Sequence, residues 1–150
     1  MNSQLSKTAA AGRLLIALLF LLSGLAKIAD PAGTLAYIGS AGLPLPYVSY
    51  AGAVAVEVVG GILLVLGYRT RLVALVVAVY SVAAAIGFHT DFADQNQMIH
   101  FLKNLAVAGG LLQIVSFGAG AFSLDARKGE TRAHAHRNNG GGAHEAMTQI

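Results

Sequence analysis

Cysteine and tryptophan are absent from this chain, and charge is scarce. Only 11% of its 150 residues are Asp, Glu, Lys or Arg, against about 25% in a soluble domain. Without cysteine the chain cannot itself perform thiol–disulfide chemistry or build a cysteine-ligated metal site. Polar helix faces are missing as well. None of the apolar segments carries the charged stripe of a surface helix, which excludes a soluble bundle of buried helices.

What remains is one apolar run after another. Val48 to Gly67 is 20 residues whose only charge is Glu57, Leu72 to Phe88 is 17 with none, and Asn104 to Leu124 is 21 with none. An earlier run, Ala9 to Ala29, holds Arg13 and Lys27 near its two ends. A helix needs roughly 20 apolar residues to cross a bilayer. Four spans are therefore expected, at about 9–29, 48–67, 71–88 and 99–117. The fold class is all-α: an integral membrane, antiparallel four-helix bundle.

The first span also has the outline of a signal peptide, with Lys7 and Arg13 ahead of LLIALLFLL and small residues before Lys27. Cleavage would discard a small polar face at Ser23, Gly24 and Lys27, so we read it as retained. Charge placement sets the expected orientation. With a cytoplasmic amino terminus, Lys7, Arg13, Arg69, Arg71, Arg127, Lys128, Arg132 and Arg137 lie inside, and only Lys27 and Lys103 lie towards the outside. Eight against two is the bias of cytoplasmic loops. The pI near 9.5 thus reports topology and not a nucleic-acid partner.

Between the spans, Asp30 followed by Pro31 predicts a helix start, and Gly42, Pro44 and Pro46 predict its end. A short outer interfacial helix is expected over 31–41, with Tyr37, Tyr47 and Tyr50 at headgroup level. GYRTR, residues 67–71, is a tight turn anchored by its arginines. Residues 1–8 read as a polar start, 9–124 as the membrane domain and 125–150 as a disordered cytoplasmic tail. His134, His136 and His144 in that tail have no ligand-cage spacing, so no metal site is expected.

Glu57 lies nine residues past Val48, about 14 Å along a helix and so near the bilayer midplane. Ala53, Glu57, Gly60 and Gly61 share one helix face, and small residues there admit a neighbouring helix. The carboxylate is therefore expected to point inward and to need a partner, because an unpaired charge at that depth costs at least a few kcal/mol. Lys27, Lys103, Asn104 and His89 all fall in the outer half of such a bundle. Long lysine stems reach along the axis, making Lys27 and Lys103 the candidate cations.

The blocks SGLAK, AGLP, E-x-x-G-G, G-x-R-T-R and FLKNLA-x-x-GG occur in this order between Arg13 and Arg127. Together they resemble the DoxX family of small bacterial inner-membrane proteins. The resemblance implies a four-helix membrane fold and an oxidoreductase role, through relatives associated with thiosulfate oxidation to quinone and with oxidative-stress complexes. Distant animal relatives are instead chaperone-like or cargo-binding. The family blocks fall on Lys27, Glu57, Arg69, Arg71, Lys103 and Asn104.

Two functional classes follow. In one, a redox-associated subunit binds a quinone in an outward-facing polar pocket and works with partner redox proteins. Glu57 is its candidate proton carrier, with Lys27, His89, Lys103 and Asn104 as pocket residues. In the other, a non-catalytic scaffold uses the same pocket for a lipid or small ligand. A homo-oligomer is compatible with the small-residue faces. Transport is the weakest class, since neither an inverted repeat nor a broken helix is visible in the sequence.

Overall fold

Asp30 ends one helix and starts the next, and similar punctuation divides the whole chain. The computed structural model describes residues 3–129. Helix α1 (Ser3–Ala29) stops at Asp30, whose carboxylate accepts the Gly33 N–H at 2.9 Å to cap α2 (Pro31–Ser40). Leu45, left-handed at φ 54°, turns the chain into α3 (Pro46–Leu66). Pro31 and Pro46 each sit in a first helical turn, where the missing N–H is no loss. Gly67 closes α3 at φ 65° and donates its N–H to the Leu63 and Leu64 carbonyls. A Cβ at Gly67 would lie 2.4 Å from that of Ser123, so both backbone and space demand glycine. Arg69 then leads into α4 (Thr70–Phe88), and Asp94, accepting the Asn96 N–H at 2.8 Å, opens α5 (Gln95–Phe117).

Helices α1, α3, α4 and α5 are each long and apolar enough to cross a bilayer. They form a four-helix membrane bundle with α2 as a short helix at one end. α1 packs chiefly on α3 and α4 on α5, while α3 against α4 joins the two pairs; α1 and α5 scarcely meet. Ala17, Phe20, Leu64, Val77, Ala108 and Leu111 lie at the centre. Glycine sets the close approaches: a Cβ at Gly24 would be 2.7 Å from Val58 Cγ2, at Gly61 2.7 Å from Leu21 Cγ, and at Gly60 2.9 Å from Val77 Cγ2. Such contacts drive helix association where lipid removes the hydrophobic incentive. Leu15, Leu22, Val59 and Val79 face outward, as side chains in contact with acyl chains should.

Three boundaries differ from expectation, one being the start of α5 at Gln95, four residues before 99, where Asp94 caps it. α1 begins at Ser3 and not near residue 9, because its polar first turns have a surface to pack on. Ser6 is buried, and the chain after α5 passes close by: a Cβ at Gly120 would stand 3.3 Å from Ala9 Cβ. At the other end, order does not stop at residue 125. Residues 124–129 form a helical segment. Asp125 accepts hydrogen bonds from Arg69 N–H, Thr70 N–H and Thr70 Oγ1, each at 2.8 Å. It thereby caps α4 from a distance, satisfying donors that Arg69 at the N-cap leaves open. His134, His136 and His144 lie outside the described residues.

Candidate functional site

Glu57 is 4% exposed, on the α3 face that meets α1 and α4. Lys27, from the last turn of α1, places its ammonium 2.9 Å from both carboxylate oxygens and 2.9 Å from Ser23 Oγ. Its three donors thus each have an acceptor. From the opposite side, α4 brings the Tyr80 hydroxyl, which donates to Glu57 Oε1 at 2.7 Å. Tyr50 at the start of α3 donates to the Lys27 carbonyl at 3.2 Å, which that carbonyl needs because helix ends leave such acceptors open.

The local sequence explains why the groups meet. Ser23 and Lys27 are four residues apart and share a face of α1, while Gly24 between them lets α1 close on α3 beside Glu57. The lysine side chain keeps 25% of its surface exposed against 5% for the glutamate. The pair is therefore neutral as a unit, buried at its acidic end and reachable at its basic end. The carboxylate accepts hydrogen bonds from both a phenol and an ammonium, and the ammonium can orient a carbonyl or an anion by giving up its bond to Ser23 Oγ.

Lys103, Asn104 and His89 do not join this cluster. Lys103 is exposed on α5 and, among the described residues, makes no ion pair with Glu57. The reason is helix order: α3 is flanked by α1 and α4, so α5 is one helix too far. Asn104 donates to the His100 carbonyl at 3.1 Å, within its own helix. His89 contacts Gln97 Oε1 at 2.8 Å through Nδ1 and stacks on His100 with ring centres 5.0 Å apart. These residues form a separate polar patch where α4 passes into α5.

Tyr80 was invisible to the charge pattern, although a phenol in mid-span is itself a signal: its hydroxyl must find a partner when buried. Arg13, expected near the inner end of the first span, is 3% exposed. Its guanidinium donates to the Ala119 and Phe122 carbonyls, tying α1 to the chain after α5. Among the described residues no group of three or more His, Asp or Glu is placed to hold a metal.

A polytopic α-helical membrane protein with a Lys–Glu–Tyr cluster inside its bundle is thus the class defined by fold and site. The DoxX family model matches residues 8–90. The chain belongs to the DoxX family. It is 36% identical over 116 residues to "Inner membrane protein YqjF" of Escherichia coli strain K12, covering 75% of this chain and 85% of that protein. It is 38% identical over 120 residues to "Inner membrane protein YphA" of the same strain, covering 77% and 86%. A shorter match, 35% identical over 74 residues, is to "Putative oxidoreductase CatD" of Bacillus subtilis strain 168, covering 49% and 54%. No solved structure matches the chain.

Proposed function

We propose that the chain is a redox-associated subunit of the bacterial inner membrane, whose Lys27–Glu57–Tyr80 cluster serves a quinone or a similar small molecule with a carbonyl head and an apolar body. The carrying observation is the carboxylate held inside the bundle by an ammonium and a phenol. Intramembrane ionisable groups are expensive, and function is the usual reason that they persist. A quinone site needs only a few convergent polar groups in apolar surroundings, which this cluster supplies. In this role the ligand carbonyl takes over the Lys27 donor now given to Ser23 Oγ, at the accessible end of the pair, and Glu57 holds the proton delivered there. Electrons come from a partner redox protein. The names of two relatives as inner membrane proteins support the location, and the partial match to "Putative oxidoreductase CatD" lends support to the redox class.

A second role, as a non-catalytic scaffold, draws on a different observation: Lys27 and Glu57 already satisfy one another. Quinone content of the purified protein separates the two. The Glu57→Gln variant should retain about tenfold less quinone than wild type, equivalent to about 1.4 kcal/mol of binding, while remaining folded. Equal quinone content together with a lowered melting temperature would leave the scaffold role standing and remove the redox one.

A further inference from the structure

The arginines of the GYRTR turn take no part in the Lys27–Glu57–Tyr80 cluster, and they lie at the other end of the bundle. Arg69 and Arg71 line an open cavity of about 710 Å³ between the start of α4 and the chain after α5. Neither guanidinium has a hydrogen bond or ion pair among the described residues. The guanidinium of Arg71 lies over Gly118, where an added Cβ would be 3.4 Å from its Nε. The acidic residue lining the same cavity, Asp125, has both oxygens engaged by the Arg69 and Thr70 donors. Its hydrogen bonds go to the head of α4, and none goes to either guanidinium.

A second cavity shares one lining residue with the first. It is an apolar groove of about 350 Å³ between α3 and α4, bounded by Ala55, Val59 and Leu63 on one side and Leu72, Val73 and Val76 on the other. Leu72 lines both cavities. From Ala55 to Leu63 the groove runs about 12 Å along α3, at 1.5 Å per residue. It descends from the level of the arginines into the depth of the bilayer.

We infer that these two cavities, which meet at Leu72, together bind one anionic phospholipid, with its phosphate between Arg69 and Arg71 and an acyl chain in the α3–α4 groove. Charge complementarity selects the headgroup. Guanidinium groups bind phosphate through paired N–H donors, and two unpartnered ones at an interface attract anionic lipid more than zwitterionic lipid. The groove selects a chain-bearing molecule over free phosphate. This site is independent of the Glu57 cluster and stands whether or not that cluster serves a quinone.

The test uses the full chain in nanodiscs of phosphatidylcholine and phosphatidylglycerol, released into detergent for native mass spectrometry. Wild type should carry one phosphatidylglycerol in clear excess over phosphatidylcholine. The Arg71→Gln variant should lower that preference about fivefold, the ratio that one basic residue near an anionic surface confers. Arg69→Gln with Arg71→Gln should abolish it. Lys7→Gln, a charge removed outside the cavity, should leave it unchanged. Val59→Trp with Val76→Trp fills the groove from two outward-facing positions and should release the lipid with both arginines intact. Inorganic phosphate should not compete. The inference is overturned if wild type shows no preference, if Lys7→Gln acts like Arg71→Gln, if phosphate displaces the lipid, or if the filled groove still holds it.

Discussion

Glu57 illustrates how one side chain can be costly alone and neutral in company. Removing Lys27 would strand a buried carboxylate, a loss of about 3–5 kcal/mol for such pairs, unless the acid takes up a proton. Tyr80 contributes differently, through a single hydroxyl at 2.7 Å. Tyr80→Phe should therefore cost about 1 kcal/mol, between the average for hydrogen bonds inside membranes and that for charged acceptors. Unfolding in mixed detergent would measure it, and an unchanged midpoint would mean that the phenol contributes nothing to holding the acid. The acid and Lys27 were legible because charges stand out in apolar sequence. Tyr80 was not, because an aromatic residue in a span counts as hydrocarbon until its hydroxyl is considered. Lys103 misled for the opposite reason: its charge was visible, but the order of helices around Glu57 was not.

Some helix ends are set by neighbouring residues, and others by residues distant in the chain. Asp30–Pro31 and Gly67 act on their immediate neighbours, and α2 and the α3–α4 turn lie where those residues suggested. Asp125 caps α4 from 55 positions away, and no short-range pattern encodes that distance. Burial pushes the Asp125 carboxyl up. The Thr70 N–H and hydroxyl, the Arg69 N–H and the Lys128 charge outweigh it, holding the group below the ordinary carboxylate range. A depressed value in the folded protein means stabilisation present above the unfolded pKa, and lost as pH falls through the folded one. At pH 7 the Asp125→Asn variant, which replaces one accepting oxygen by an NH2 facing N–H donors, should be less stable than wild type by about 1 kcal/mol. The gap should narrow on acidification towards about pH 3, below the ordinary aspartate range. Melting curves at the two pH values test this, and a gap that widens in acid would reverse the sign assigned to the cap.

Across the whole molecule, basic residues gather at one end. Lys7, Arg69, Arg71 and Lys128 lie there, together with buried Arg13, whereas the opposite end carries the neutralised Lys27, Lys103 and the acids Asp30, Asp91 and Asp94. By the positive-inside bias, we propose that the arginine end is cytoplasmic and α2 external. A chain without cysteine suits the test. Ser40→Cys should react with an impermeant maleimide on intact inner-membrane spheroplasts, and Lys7→Cys only after lysis; the reverse pattern would invert the topology. The small-residue faces that suggested self-association are occupied at Gly24, Gly60 and Gly61 by side chains of the same chain.

Arg13 adds a consequence for biogenesis. The carbonyls that receive its guanidinium belong to residues 106 and 109 positions later. At roughly 5–20 residues per second of synthesis, the first helix spends about 5–20 s with its cation unanswered while the ribosome completes the remaining spans. Until then that cation must stay near the water boundary. Only the stretch after α5 supplies those carbonyls, so α1, though made before the other three spans, is among the last helices to reach its final depth.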